Sequence, residues 1–318
     1  MVKRYGDRLP RRRLGRSQLR VPALALGGAG LGGAGLATRG HEVNDKDGIE
    51  TVRYALEQGI NYIDTSPLYG ESERRIGLAL EGVPRDSYIL SSKTGTHPQR
   101  RGDYSWDGTL WSVENSLKLL KTDFIDLLLV HDPNDIEPVF APRGALEALE
   151  ELKTQGVIKS IGLGQRNHDF HRRAIESGRF DVILTYNDYH PLRTTAADWL
   201  LPLAAQHDVG VLNGAVLEHG MLAGNNADYL NNPTWQNFPA RELAAARRLY
   251  AWCNERDIPV QALAFQMSLR QPLIHCTLTG AKTRAELEQN LEAATIPLPE
   301  NVWEELEALN LTAGQQSS

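Results

Sequence analysis

An eightfold alternation constrains this chain more than any other feature. Eight short, nearly continuous apolar runs are separated by longer amphipathic segments: ALALGG (23–28), NYID (61–64), SYILSSK (87–93), FIDLLLVH (124–131), VIKSIGLG (157–164), DVILTY (181–186), VGVLNGA (209–215) and IHCTLTG (274–280). Runs of this kind read as strands buried on both faces, as in parallel sheets. Between them, 45–59, 112–122, 143–156, 241–257 and 285–294 carry helical periodicity. The first opens on Asp45 and closes on Gly59, and the third closes on Gly156, a start-and-stop grammar typical of helices. Strict strand–helix alternation leaves two α/β architectures, a closed (β/α)8 TIM barrel or a doubly wound sheet.

Length favours the barrel. The 318 residues exceed an average domain but suit a barrel, which runs to about 250 residues or more as one unit. The prediction is one barrel domain over 1–318, with an N-terminal β-hairpin and an active site at the C-terminal face. A doubly wound dinucleotide fold should instead show G-x-G-x-x-G opening a helix. The run GGAGLGGAG (27–35) holds G-x-G fragments, but Thr38-Arg39-Gly40 continues as loop. It reads better as a flexible loop after the first barrel strand.

A net charge of −6 argues against nucleic acid as a partner. The exception, RLPRRRLGRSQLR at the N-terminus, reads as a basic arm, a transit peptide or a hairpin. Leu14 and Leu19 bracket Gly15-Arg16-Ser17, which favours a short hairpin with solvated arginines. No run nears the ~18 apolar residues of a membrane span. The two cysteines, Cys253 and Cys276, lack metal-ligand spacing, so no metal site is expected. The expected setting is cytoplasmic and reducing. Nothing in the sequence fixes an oligomeric state.

Barrel enzymes draw catalytic groups from the C-terminal ends of several strands. Asp64, Lys93 and His131 each end an apolar run, and Tyr69 follows Asp64 in DTSPLYGESE. Singly, each has an ordinary explanation: a cap, an ion-pair partner, a loop histidine. At three successive strand ends they make a proton-transfer set. A phenol ionises near pH 10, so Tyr69 needs help to exchange a proton near neutrality. Lys93 could lower that pKa, with Asp64 holding Lys93 in place. A neutral His131 could orient a substrate oxygen while a nicotinamide exchanges hydride at the carbonyl carbon.

The stretch INYIDTSPLYGESERRIGLAL (60–80) resembles the D-x-A/S-x-x-Y-G-x-S/N-E signature of the aldo-keto reductases. FIDLLLVHDPND (124–135), GVIKSIGLG (156–164), LTGAKTRAELEQNL (278–291) and RRLGRSQLRVPALALGG (12–28) resemble other motifs of that family, in family order. The resemblance implies a catalytic tetrad of Asp64, Tyr69, Lys93 and His131. It also implies a nicotinamide cofactor lying across the barrel mouth without a Rossmann fold. Its candidate contacts are Gly28, Gly164, Gln165, Asn213, Gly214, Val216, Leu217, Gly280, Ala281, Lys282, Glu286, Gln289 and Asn290.

The match departs from the family at two places. Where many members read G-V-S-N-F, this chain has Gly162-Leu163-Gly164-Gln165-Arg166-Asn167, leaving Gln165 or Asn167 to offer an amide to the nicotinamide carboxamide. Where many place an aromatic ring on the seventh strand, it has Leu212-Asn213-Gly214-Ala215-Val216. These departures resemble the aldose 1-dehydrogenase branch, as do 103–120, 185–192 and 211–224. That branch implies oxidation of a cyclic sugar at its anomeric carbon to a lactone, with Tyr69 as base. NADP selection needs cations near the 2′-phosphate. Glu286 would repel a phosphate and favours NAD, while Lys282 and Arg284 keep NADP open. Trp106, Trp235, His190 and His219 are pocket candidates within or near the loops 94–108 and 224–241. Three alternatives stand beside the aldose reading. They are an NADPH-dependent reductase of aldehydes and ketones, a pyridoxal-type dehydrogenase, and a non-catalytic cofactor-sensing subunit.

Overall fold

The computed structural model describes residues 4–33 and 42–312. The end of the glycine run (34–35), the Thr38-Arg39-Gly40 stretch and the polar tail GQQSS thus lie outside the described residues.

A two-stranded antiparallel hairpin, β1 (Arg11–Arg13) and β2 (Arg20–Pro22), opens the chain. Each of the eight apolar runs then becomes one strand: β3 (Leu24–Gly27), β4 (Tyr62–Asp64), β5 (Ile89–Thr94), β6 (Ile125–His131), β7 (Ile158–Gly164), β8 (Val182–Tyr186), β9 (Gly210–Gly214) and β10 (Cys276–Gly280). They pair in chain order, all parallel, and β10 returns to β3 to close the barrel. The continuous apolarity follows from this closure. On β6, Leu127 and Leu129 pack with Tyr62, Leu212 and Cys276 in one cluster. Leu128 and Val130 join the layer that includes the helix residues Val113, Leu146 and Leu149. Both sides of the strand meet apolar neighbours, as burial on two faces requires.

The helices are α1 (Asp45–Glu57), α2 (Ser72–Ala79), α3 (Trp106–Leu120), α4 (Glu137–Phe140), α5 (Ala145–Thr154), α6 (His168–Glu176), α7 (Leu200–Gln206), α8 (Ala240–Asn254), α9 (Val260–Arg270), α10 (Arg284–Thr295) and α11 (Val302–Ala308). The five predicted helices are α1, α3, α5, α8 and α10. Asn44, one residue before the expected opener, caps α1 by accepting Asp47 N–H. Ser105 caps α3 well ahead of its expected start, because Trp-Asp-Gly continues the helix rather than a loop. The other helices are not among those expected from sequence. Most of them are short, α7 carries a proline near its start, and α9 buries most of its apolar residues.

The hairpin seals the end of the barrel opposite the strand C-termini. Leu14 and Val21 are fully buried in the cluster that holds Leu127 and Leu212. Its arginines are not simply solvated, as expected from sequence; they staple the hairpin to the barrel. Arg12 donates to the Leu269 and Ile274 carbonyls, and Arg13 forks onto Asp208 at 2.7 and 2.8 Å. Arg16 reaches the Gly178 and His207 carbonyls. Among the described residues, no helix is long and apolar enough to cross a membrane.

Replacing Leu14 by Ala should destabilise the fold by about 2–5 kcal/mol, the usual cost of emptying a fully buried leucine site. Urea unfolding measures this, and an unchanged midpoint would show that the hairpin does not seal the barrel.

Candidate active site

Parallel register brings three successive strand ends together. Asp64 on β4 pairs with Ser91 on β5, and Lys93 on β5 pairs with Leu129 on β6, two residues before His131. Lys93 Nζ donates to Asp64 Oδ2 and to the Thr65 carbonyl, each at 2.6 Å. Ser91 Oγ donates to the other carboxylate oxygen at 2.7 Å. The two charged side chains are only 1% and 3% exposed. Such a pair persists in the interior only when hydrogen bonds satisfy it on several sides, as here. Burial alone would lower the Lys93 pKa, but Asp64 and Tyr69 outweigh it and hold the pKa above its ordinary value.

Tyr69 sits in the turn between β4 and α2, half-buried. The glycine run explains its placement. Residues Gly28–Gly32 form a 3₁₀ turn against it, and a Cβ on Gly32 would stand 1.8 Å from the Tyr69 carbonyl oxygen. Glu71 N–H donates to the Gly32 carbonyl at 3.1 Å, fixing the approach. Lys93 Nζ lies 4.9 Å from the Tyr69 ring centre. Burial pushes the phenol pKa up while Lys93 pulls it down, and the result stays above the ordinary value. Lys93 thus pulls the phenol pKa down, as expected from sequence, and burial pushes it up by more.

His131 faces Tyr69 edge-on, with ring centres 5.8 Å apart. Its Nδ1 lies 2.7 Å from Thr96 Oγ1 and 3.2 Å from Ser66 Oγ. Burial, with Lys93 and Arg101 adding to it, drives its pKa well below the ordinary range, so the imidazole is neutral. A ring that accepts at Nδ1 from either hydroxyl carries its proton on Nε2. Tyr104 OH donates to the His131 carbonyl at 2.6 Å and locks the strand end.

Glu73, Asp132 and Tyr186 were not singled out from sequence. Glu73, on α2, is buried and accepts from Ser92 Oγ at 2.6 Å; burial raises its carboxyl pKa. Its place in the GESE stretch was the available signal. Asp132, at positive φ beside His131, accepts from Tyr186 OH at 3.1 Å. Burial raises the Asp132 pKa, against the pull of Tyr186, Lys93 and Arg101. A Cβ on Gly214 would meet Tyr186 Cβ at 3.2 Å, so the Tyr186 side chain lies against the strand end that lacks an aromatic.

The candidate cofactor contacts divide. Gly164 ends β7 opposite His131. The Gln165 amide is spent on the Pro133 carbonyl and on the Arg166 and Asn167 N–H groups. Asn167 caps α6. Asn213 donates to the Tyr189 carbonyl and to Ser268 Oγ. These amides serve the fold as they stand. Gly28 lies in the turn beside Asp64, Val216 is buried, and Leu217 is half-buried. Around the start of α10, Asn290 donates to the Gly280 carbonyl, and Ala281 is buried. Glu286 accepts the Lys282 N–H at 2.9 Å and lies 3.5 Å from Lys282 Nζ. Gln289 lines a cleft of about 550 Å³ with Gly224, Tyr229, Gln261 and Glu292. Of the pocket candidates, Trp235 and His190 are instead buried, Trp235 among Ala246, Leu249, Tyr250 and Leu263 and His190 against Glu218. His219 is exposed, and Trp106 is half-buried under Arg143. Among the described residues no group of three or more His, Cys, Asp or Glu could hold a metal ion.

The model of the aldo/keto reductase family matches residues 24–311. The chain belongs to the aldo/keto reductase family. D-threo-aldose 1-dehydrogenase of Pseudomonas sp. is 30% identical over 91% of this chain and 94% of its own length. L-galactose dehydrogenase of Arabidopsis thaliana is 30% identical, over 89% of this chain and 88% of that protein. Pyridoxal 4-dehydrogenase of Microbacterium luteolum is 28% identical, over 95% and 97%. As an aldo/keto reductase, this chain is an oxidoreductase of carbonyl and hydroxyl groups that works with a nicotinamide cofactor.

Gly32→Ala should displace Tyr69 and lower turnover by about 10²-fold, the scale of an ångström-sized misplacement. Steady-state kinetics on the folded variant checks this, and full activity would show that the glycine turn does not position the tyrosine.

Proposed function

We propose that this aldo/keto reductase oxidises an aldose at its anomeric carbon to the lactone, with NAD as the hydride acceptor. The observation that carries the chemistry is one ammonium, Lys93, set between a carboxylate and the Tyr69 phenol, with neutral His131 facing that phenol. His131 Nε2 donates a hydrogen bond to the anomeric oxygen and orients it. Tyr69 takes the hydroxyl proton, and Lys93 stabilises the phenolate that does so. When bound, the nicotinamide supplies the acceptor for the hydride leaving the anomeric carbon.

Several features support the sugar and cofactor assignments. The D-threo-aldose and L-galactose relatives align over most of their length. Asp132 and Tyr186, bonded to each other beside His131, offer polar groups suited to hydroxyls. Both cations of the loop after β10 are engaged, Lys282 with Glu286 and Arg284 with Glu50, which leaves little to receive a 2′-phosphate. Among the described residues, those lining the nearby cleft include Glu292 and no lysine or arginine. Gln289 and the 216–217 and 280–282 segments are the contacts we assign to the cofactor. The two cysteines are free and buried, in keeping with a cytoplasmic setting.

One observation favours the reductive reading. A phenol held protonated is ready to donate to a carbonyl oxygen. Initial rates at 340 nm decide, with NAD⁺ and NADP⁺ against L-fucose, L-galactose, D-arabinose and pyridoxal, and NADH and NADPH against simple aldehydes. NADH formation with a sugar series supports the proposal. Oxidation of NADPH by aldehydes alone, with every sugar silent, replaces it by the reductase reading. A specificity constant higher for NADP⁺ than for NAD⁺ overturns the cofactor assignment.

The pH dependence has a definite sign. Only the phenolate accepts a proton, and burial keeps the Tyr69 pKa above that of an ordinary phenol. The kcat/KM for oxidation should therefore climb about tenfold per pH unit from about pH 7 to 9, while reduction stays level. A plateau reached below about pH 7 would assign the base to another group.

A further inference from the structure

A second concentration of buried charge lies between the loops that follow β8 and β9. Glu218 Oε2 stands 2.7 Å from His190 Nε2, and neither side chain is more than 5% exposed. The other carboxylate oxygen accepts from Asn187 Nδ2 at 2.9 Å. His190 Nδ1 accepts Leu192 N–H at 3.3 Å, which puts a proton on Nε2, facing the carboxylate. Burial would raise the Glu218 pKa, but His190 and Asn187 outweigh it, so the group stays ionised.

The carboxylate sits on a segment that is strained locally. Ala215, Glu218 and His219 have φ of +56°, +48° and +52°, in the left-handed region that side chains avoid. Short turns from Glu218 N to the Ala215 carbonyl and from Leu222 N to the Leu217 carbonyl shape it, at 2.9 and 3.0 Å. Such strain persists only where surrounding contacts fix it. On one side the segment is tied through Glu218 to Asn187 and His190. On the other it runs through Ala223 and Gly224, which form part of the wall of the cleft shared with Gln289. Gly224 N–H is itself held by Tyr250 OH at 2.9 Å.

We infer that Glu218, gripped by His190 and Asn187, is a positioning residue that holds the strained 215–222 segment in the shape that receives the nicotinamide cofactor. This rests on the reading of the cleft and its flanking loops as the cofactor site. Glu218 does not touch the reacting atoms; it acts through Val216, Leu217 and the cleft wall.

The test compares NAD⁺ affinity by quenching of tryptophan fluorescence, and kcat at saturating cofactor, in the wild type, His190→Leu and His190→Gln. His190→Leu removes the ring nitrogen that stands 2.7 Å from a buried carboxylate and should weaken NAD⁺ binding by about tenfold or more, with kcat within about twofold. His190→Gln returns a polar N–H group to face the carboxylate and should recover most of the affinity. Equal loss in both variants, or no loss in either, overturns the inference. If His190→Leu fails to fold, the isosteric Glu218→Gln makes the same comparison. Weakened binding supports the positioning role, and unchanged binding removes it. A wild type that binds neither NAD⁺ nor NADP⁺ overturns the cofactor reading as well, which separates the two failures.

Discussion

The buried ion pair between Asp64 and Lys93 sets the electrical state of everything around it. Charges interact more strongly inside a protein than in water, so one ammonium there governs several neighbours. Lys93 stays protonated because a carboxylate, a carbonyl and a phenol surround it. Its charge then discourages a proton on His131 and opposes the burial that keeps Tyr69 neutral. Three groups that would titrate independently on a surface become one coupled unit. That unit exists only because β4, β5 and β6 are neighbours in register. Barrel closure is thus the precondition of the chemistry, and the hairpin that seals the far end supports it from below.

Much of this was legible in the sequence, for physical reasons that also mark the limits. The eight strands were readable because burial on both faces erases polar alternation. Asp64, Lys93 and His131 were readable because an ionisable group directly after an apolar run stands out. What escaped depends on partners distant in sequence. Arg12 reads as a solvated arginine until the Leu269 and Ile274 carbonyls are brought to it. Trp235 reads as a pocket wall until α8 and α9 enclose it. His190 and Glu218 read as unrelated until two loops bury them together. The pull of Lys93 on the Tyr69 pKa was readable, but the larger push of burial was not, because no local pattern reports it.

Residue identity and residue availability are different properties, and the cofactor region shows the difference. Gln165, Asn167 and Asn213 have the side chains an amide clamp needs, yet Gln165 is bonded through both ends, Asn167 through its capping oxygen and Asn213 through its Nδ2. Glu286 matters less as a free carboxylate facing a ribose than as the group that occupies Lys282 and, with Thr283, caps α10. The local balance is thereby near neutral. On the proposed NAD reading, a 2′-phosphate would be disfavoured because Lys282 and Arg284 already face carboxylates, Glu286 and Glu50.

Asp132 and Tyr186, beside His131, bear on the substrate in the same way. Gly214 removes a side chain from the seventh barrel strand, and Tyr186 from the sixth lies against it. A ring is kept near the position, but it now carries a hydroxyl bonded to Asp132. Covering this pair with an apolar aldehyde would strip water from a half-buried carboxylate and return no hydrogen bond. A polyhydroxylated ring can replace the lost water at Asp132. Sites built around such groups reject partners that leave them unpaired far more sharply than apolar pockets reject a missing methylene. On the aldose reading, discrimination therefore lies less in any added attraction for the sugar than in the cost of leaving Asp132 unsatisfied.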